Sequence, residues 1–415
     1  MARPVDILPR APSRRGSRSS RGAALLLVIV SIAIVTALTV DLAYNTRVSL
    51  QLAVNARDEL QAYYLARSGV NLSRLILHFQ QQLDAQGAAG QAGPLAGLSL
   101  SVRLWDLVPI SSQSLALLGG GGAAAAPPAP GGFPTFGGFD GSFDARVDDE
   151  DRKINLRQFD STTTYAVAQT LRLAELVRDP RWDFLFDRDD ANGLRVSRPE
   201  LFAAIKDWID IDETGSAYTG APGKPFENGY GDENALYDRL PDRYKAKNES
   251  FDSTGELHLV AGISDAFMAA FGDRLTVYPD KSATIDVNSD DPVDLMINAV
   301  VMGGGTVQPA MLDPAFLDKL RAALALVRPL PFLSISPLQF AQVLQGLGVK
   351  VAPEYLAATN IGVSAVFGSH PTTFRIRATG VVGDVRKPVE AVVIFDQRAL
   401  GLEQDLGRLI HWSEE

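Results

Sequence analysis

Eighteen consecutive residues without a charge, Ala23 to Val40 (AALLLVIVSIAIVTALTV), constrain this chain more than any other feature. As a helix the run is about 27 Å long, enough to cross the hydrocarbon core of a bilayer. The next fifty residues extend the constraint. No proline occurs between Gly22 and Pro94, and Gly69 is the only glycine before Gly87. Apolar residues continue at helical spacing through Leu52, Ala56, Leu60, Tyr63, Tyr64, Val70, Leu72, Leu75, Ile76, Phe79 and Leu83. The pattern predicts a transmembrane segment over 23–42 that runs unbroken into an amphipathic helix, together roughly 60 residues and about 90 Å long. A plain signal anchor, or a secretory signal cut after Val35-Thr36-Ala37, accounts for the apolar run but not for the helix beyond it.

Charge is distributed to match. Residues 1–22 carry six arginines (Arg3, Arg10, Arg14, Arg15, Arg18, Arg21) against the single acid Asp6. A basic leader before an apolar helix is held in the cytoplasm, so the rest of the chain is expected on the far side of the membrane. That remainder has 33 basic and 48 acidic residues. A domain so acidic is a poor partner for nucleic-acid phosphates and suits hard cations such as calcium. The 415 residues contain no cysteine, which excludes disulfides and thiolate chemistry. The four histidines, His78, His258, His370 and His411, lie far apart, and no HExxH, Walker A or GxSxG string is present. The chain is therefore read as a non-enzyme.

Beyond the long helix, Leu98 to Leu107 alternates as a strand does, and Ser142 to Leu156 reads as a second strand region. Between them Gly119 to Gly138 is a low-complexity Gly/Ala/Pro loop. Residues 158–350 read as a mostly helical block with acidic loops. Its helices are expected over Thr162–Val177, Arg198–Trp208, Leu312–Val327 and Ser336–Leu347, with another opened by a capping box at Ser253-Thr-Gly-Glu256. Arg274 to Asn288 contains two strand-like pieces. The last stretch, 351–415, changes to β-branched runs at Ile361–Phe367, Thr373–Val382 and Val389–Phe395, an antiparallel meander. The expected fold is α+β: a long N-terminal helix on an antiparallel sheet, assembled from 43–157 and 351–415 and interrupted by the helical block.

The acidic loops are the strongest chemical signal. Asp183 to Glu213 holds nine acids against four bases. Asp210, Asp212, Asp232 and Glu233 are the candidate calcium ligands, drawn from two segments separated by a glycine-rich stretch (Gly215, Gly220, Gly223, Gly229). Two-residue spacing lets Asp210 and Asp212 face one ion only if the helix ends at or before Ile209. The same residues also read as an ordinary solvated acidic face. Asp187-Arg-Asp189-Asp190-Ala-Asn192-Gly193 resembles an EF-hand loop, but its Gly and its Glu200 fall at the wrong positions, so an Asx-rich turn is expected. Glu256 to Gly272 suggests a helical hairpin of the kind that grips DNA, but it contains no Lys or Arg. A structural hairpin without nucleic acid is expected there.

Arg21-Gly22 stands directly before the apolar run, as at a prepilin peptidase site. With Asp151-Arg-Lys-Ile-Asn-Leu156, Asp207-Trp-Ile-Asp-Ile-Asp212, Gly255-Glu-Leu-His-Leu-Val-Ala-Gly262, Ile285-Asp-Val-Asn-Ser289 and Phe374-Arg-Ile-Arg-Ala-Thr-Gly380 in this order, the chain resembles the type II secretion system protein K family of minor pseudopilins. The resemblance implies a pilin-like fold, 1–22 as a cytoplasmic leader, cleavage between Gly22 and Ala23, and a periplasmic globular part anchored once in the bacterial inner membrane. It places Leu27 at mature position five, where most pilins carry a glutamate that pairs with a neighbouring N-terminal amine; protein K relatives depart from that pattern in the same way. It implies a structural subunit at the tip of a short pseudopilus, assisting the export of folded proteins. Other minor pseudopilins, the prepilin peptidase and an inner-membrane assembly platform are the implied partners. Calcium in the acidic region is implied as well. The alternative is a pilin-like component of a type IV pilus or DNA-uptake machine.

Overall fold

The structure, a computed structural model, describes residues 19–88, 101–107, 109–114, 141–190, 193–221, 223–279, 284–330, 332–356, 366–368, 371–395 and 406–414. The leader before residue 19, the low-complexity loop, His370 and most of the strand expected over Ile361–Phe367 lie outside those residues. The chain divides into two compact units, Met1–Leu60 and Gln61–Glu415.

Helix α1 spans Ser19–Ala88 without a break, as the absence of proline dictates. Within the first unit its apolar side chains, Leu25 through Leu52, stand exposed. Within the second unit the same helix buries one stripe: Ala62, Leu65, Ala66, Val70, Ser73, Leu77, Gln80 and Asp84. Steps of three and four keep these residues on one face.

That stripe lies on a five-stranded antiparallel sheet with the order β13-β12-β11-β3-β2. The strands are β2 (Ile110–Ser111), β3 (Ser142–Asp149), β11 (Thr373–Val382), β12 (Val385–Ile394) and β13 (Arg408–Glu414). Ala66, Val70 and Leu77 share a core with Ala145, Val147, Ile376, Ala378, Val389, Ala391 and Val393. The close approach depends on Gly380, where an added Cβ would overlap the Ala62 carbonyl oxygen. β3 and β11 are adjacent in the sheet but separated by more than half of the chain, so everything between them is inserted between neighbouring strands. A long apolar N-terminal helix, an antiparallel sheet and a large, mostly helical insertion are the fold class expected from the sequence.

The insertion holds helices α3 (Thr164–Val177), α4 (Arg198–Ile209), α5 (Asp265–Phe271), α6 (Pro292–Met302), α7 (Phe316–Val327) and α8 (Pro337–Gly346). It has two cores. One gathers Leu173, Phe202, Ile205, Trp208, Tyr237, Phe251 and Phe271. The other gathers Tyr165, Ala168, Leu295, Met302, Phe316, Leu320 and Phe340. Helix α3 contributes to both, with its first turn in the second core and its last turns in the first. Local sequence sets the helix starts: the Thr163 hydroxyl accepts from the Ala166 N–H at 3.2 Å, and Ser336 and Gln339 form a reciprocal capping box before α8.

Four expectations are corrected. Of the strand expected over Leu98–Leu107, residues 98–100 lie outside the described residues; the rest is strand only at β1 (Ser101–Val102), paired with β9 (Leu333–Ser334), and the short helix α2 (Leu104–Leu107) then turns Trp105 into the core beside Phe374. The strand expected over Ser142–Leu156 stops at Asp149, whose carboxylate accepts from the Asp151 N–H at 2.8 Å and starts a 3-10 turn. Beyond the turn lies only a short strand, β4 (Ile154–Asn155). The capping box at Ser253 does not form, because Glu256 is held by Lys247 at 3.0 Å; only a 3-10 segment, Thr254–Leu259, results. Finally, the expected helical block contains an antiparallel hairpin, β5 (Thr214–Ala221) and β6 (Lys224–Asp232). The two strand-like pieces within 274–288 do form: β7 (Leu275–Thr276) runs parallel to β4, and β8 (Ile285–Asp286) runs parallel to β10 (Phe367–Gly368).

Candidate functional site

Gly22, Ala23 and Leu27 all lie in the exposed first part of α1. A Cβ at Gly22 would meet nothing within 4 Å, so packing gives no reason for a glycine there. Leu27 is 68% exposed and contributes nothing to a core. Helix α1 is, among the described residues, the one helix long and apolar enough to cross a membrane, and none of its apolar window is buried.

The acidic cluster is built where α4 meets the β5–β6 hairpin. Helix α4 starts at Ser197, whose N–H and hydroxyl both donate to the Glu200 carboxylate. It stops at Ile209, and Asp210 caps it with extended backbone. The chain then reverses into β5, and the Asp207 carboxylate accepts from the Ser216 N–H at 2.9 Å, fastening the helix to the hairpin. Glycines allow the strands to close: a Cβ at Gly229 would stand 2.6 Å from the Gly215 carbonyl oxygen. Lys206 donates to Asp210 and, at 2.9 Å, to the Ser216 hydroxyl.

Of the four predicted ligands, Asp210 and Glu233 are buried and Asp212 and Asp232 are exposed. Asp212 accepts from the Thr214 N–H at 2.8 Å. Asp232 accepts from the backbone and side-chain nitrogens of Asn234 at 2.9 and 3.1 Å, which makes it the cap of a 3-10 turn. Glu233 accepts from the Asn248 amide at 2.9 Å, and that amide also donates to the Asp212 carbonyl oxygen at 3.1 Å. Asn248 is in the left-handed region at φ 52°, a conformation that asparagine tolerates better than most residues. Among the described residues three buried oxygens here have no donor: Asp210 Oδ1, Glu233 Oε2 and Asn248 Oδ1. Sequence reasoning missed Asp207 and Asn248. Asp207 stands one helical turn before Asp210, a spacing that was available to find it; Asn248 carried no signal.

Burial pushes the Asp207 carboxyl up to about 6. It raises Asp210 as well, against the pull of Lys206. Glu233 is raised by burial and then by the negative field of Asp210, Asp207 and Asp212. The cluster therefore favours a proton or an added cation. Among the described residues no group of three or more His, Cys, Asp and Glu side chains stands arranged to hold a metal ion. The open oxygens belong instead to two carboxylates and one amide.

The other candidates resolve into structural roles. Asp190 closes a turn, accepting from the Leu194 N–H at 2.9 Å while Gly193 takes φ 75°. Phe186 is buried, and Trp182 packs edge-on against Phe271 at the edge of the same core. His78 bonds Gln82, His258 pairs with Asp265 at 3.2 Å, and His411 lies beside Tyr278 on β13.

No family model matches the chain, and no curated protein matches it. Among solved structures the chain is similar to one chain of "The Crystal Structure of the GspK-GspI-GspJ complex from enterotoxigenic Escherichia coli Type 2 Secretion System", at 14% identity and a TM-score of 0.37, over 73% of this chain and 93% of that one.

Proposed function

We propose that this protein is a minor pseudopilin of a type II secretion system, a structural subunit of the protein K kind at the tip of the inner-membrane pseudopilus. One observation carries the reading. The uncharged stretch beginning right after Arg21-Gly22 belongs to a helix that continues without a break to Ala88, exposed along its first part and buried on one stripe against an antiparallel sheet. A membrane anchor alone needs no such continuation; a subunit that leaves the bilayer to pack in a fibre does. In this reading the prepilin peptidase removes 1–22, the inner-membrane platform receives the mature chain, and the partners are other minor pseudopilins. Leu27 fits a tip position, since a carboxylate in hydrocarbon without a partner costs several kcal/mol and a capping subunit has no neighbour above it to pair. The test is to label the subunit in assembled fibres. Label at one end only is the expected result; label along the length contradicts the tip assignment and favours a major or type IV pilin role.

Calcium at the α4–hairpin cluster belongs to the same proposal. The support is the trio of donorless oxygens on Asp210, Glu233 and Asn248, with Asp207 and Asp212 supplying further negative field. Hard cations take several oxygen ligands of this mixed kind. A bound ion would tie the end of α4 to β6 and to the Asn248 loop. Mass action then stabilises the protein by about 3–4 kcal/mol when calcium exceeds its dissociation constant a hundred- to a thousand-fold. Thermal melting of the full chain in detergent, with calcium and with chelator, reads this directly. A higher midpoint in calcium that is lost in Asp210→Asn/Glu233→Gln is expected; an unchanged midpoint leaves only an acidic face.

A further inference from the structure

A second acidic centre lies away from that cluster, where the sheet meets the insertion. The 3-10 turn Glu150–Arg152 continues from β3 and is wedged between β11 and the insertion. Asp149, Glu150 and Asp151 are all buried, and so are Asp286 in β8 and Asp294 in α6. Among the described residues the cations reaching them are Arg152, Lys153, Arg172 and Arg375, one fewer than these acids.

Most of these charges are well matched. Glu150 accepts from Lys153 and Arg375, both at 2.6 Å, and from the Thr276 hydroxyl. Arg172 holds Asp294 at 2.9 Å, and its other nitrogens donate to the Arg152 and Lys153 carbonyls. The Ser289 hydroxyl completes Asp294 at 2.6 Å. Arg375 is shared with Glu390 of β12.

The mismatch is left on Asp149, Asp151 and Asp286. One guanidinium, that of Arg152, serves two of them: its Nε donates to Asp286 at 2.9 Å and faces Asp149 Oδ2 at 3.3 Å. Asp286 is satisfied, since Asn288 donates twice to its other oxygen. Among the described residues Asp151 has no ion pair. Its Oδ2 accepts from the Thr372 N–H at 2.7 Å and from the Thr372 hydroxyl at 3.3 Å, just before β11, and the Thr373 N–H also favours its ionised form; its Oδ1 is buried without a well-aligned hydrogen bond among the described residues. Asp151 is 2% exposed, so water does not screen it. Around this centre stand Asp106 and Asp148 on the outer side, Tyr165 on α3, and Arg328, which bonds the Asn288 carbonyl and pairs with Asp290. None of these brings a cation to Asp151.

We propose that this junction is a proton-operated joint: docking of the insertion on the sheet holds one proton between Asp149 and Asp151, and loss of that proton loosens the turn Glu150–Arg152 from β11. A carboxylic acid at Asp151 keeps Oδ2 as the acceptor for Thr372 and removes a buried charge that no ion pair offsets. The ionised form leaves two buried negative groups sharing one guanidinium and a third with none. Burial pushes Asp151 up to about 7 and holds Asp149 well above the usual carboxylate range, in keeping with this geometry.

Linkage sets the sign of the effect. A carboxyl whose folded pKa is raised binds more protons in the native state than in the unfolded one. Its contribution is complete below the unfolded value of 3.8 and is lost as pH rises toward about 7. The experiment is urea unfolding of the full chain in detergent and chelator at pH 5 and pH 8, for wild type and for Asp151→Asn and Asp149→Asn, with hydrogen exchange at Thr372. Asparagine at 151 keeps the acceptor, supplies a donor and cannot ionise. The raised acids near the hairpin act equally in every variant, so they cancel in the comparison.

The expected result is a wild-type midpoint that falls from pH 5 to pH 8, with a protection factor at Thr372 that drops by up to about tenfold per pH unit. At least one of the two variants should show a flatter profile and a midpoint at pH 8 no lower than wild type. The same fall with pH in both variants, or a Thr372 protection factor independent of pH, overturns the proposal. If Asp151→Asn does not fold, Asp149→Asn and the wild-type exchange profile decide between the two outcomes.

Discussion

Gly380 shows how much a single residue can fix. It sits in β11 directly under α1, and a methyl group there would overlap the Ala62 carbonyl and stand 2.8 Å from the Ala66 nitrogen. Both are backbone atoms inside a continuous helix, so neither side can give way by changing a rotamer. Gly380→Ala should therefore cost about 3 kcal/mol, at the upper end for overpacking. Chemical unfolding of the full chain measures this, and a cost under about 0.5 kcal/mol, the range of neutral surface changes, would contradict the packing described here. Other single residues were harder to find. Asp151 and Asp286 stand in stretches that the sequence marks out, yet nothing in their spacing says that they meet in one buried centre. Their juxtaposition arises from an insertion that begins and ends at adjacent strands. Asp210 and Glu233 were legible as acids beside a flexible stretch, whereas Asp232 caps a turn because Asn234 lies two residues beyond it.

Elements with strong periodicity or clear punctuation could be read directly. Helix α1 lacks any breaker, α8 begins at Ser336-Pro337, and β11 matches its β-branched run from Thr373 to Val382. The β5–β6 hairpin could not be read that way. Its strands are mostly exposed and rich in glycine, with no alternation to signal a buried face, and two register shifts interrupt the pairing. The hairpin is instead fastened by Asp207 and Lys206 of α4, contacts that no local pattern encodes. Under the proposed calcium site, the same arrangement would make the effect of calcium depend on pH. Asp207, Asp210 and Glu233 all have raised folded values, so without a cation their contribution is lost as pH rises toward about 6. Calcium competes with those protons. The melting shift in calcium should therefore be larger at pH 7.5 than at pH 5; an equal shift at both would place the ion elsewhere.

At the scale of the molecule, one helix carries both an exposed apolar run long enough to cross a membrane and a buried stripe. The apolar residues before Leu60 find no partner inside the protein, and the stripe beyond it is buried against the sheet. The change of environment along one unbroken helix was visible in the sequence as a change from a continuous apolar run to helical periodicity. The size of the insertion was visible too, but its two cores were not, because the contacts that build them link segments far apart in the chain. Under the proposed function, processing of the N-terminus is what separates a pseudopilin from an anchored domain. Mass spectrometry of the protein isolated from membranes tests that most directly. The account predicts a mature chain beginning at Ala23, and an uncleaved precursor for Gly22→Val. An intact terminus at Met1, or a new one near Leu38, would contradict it.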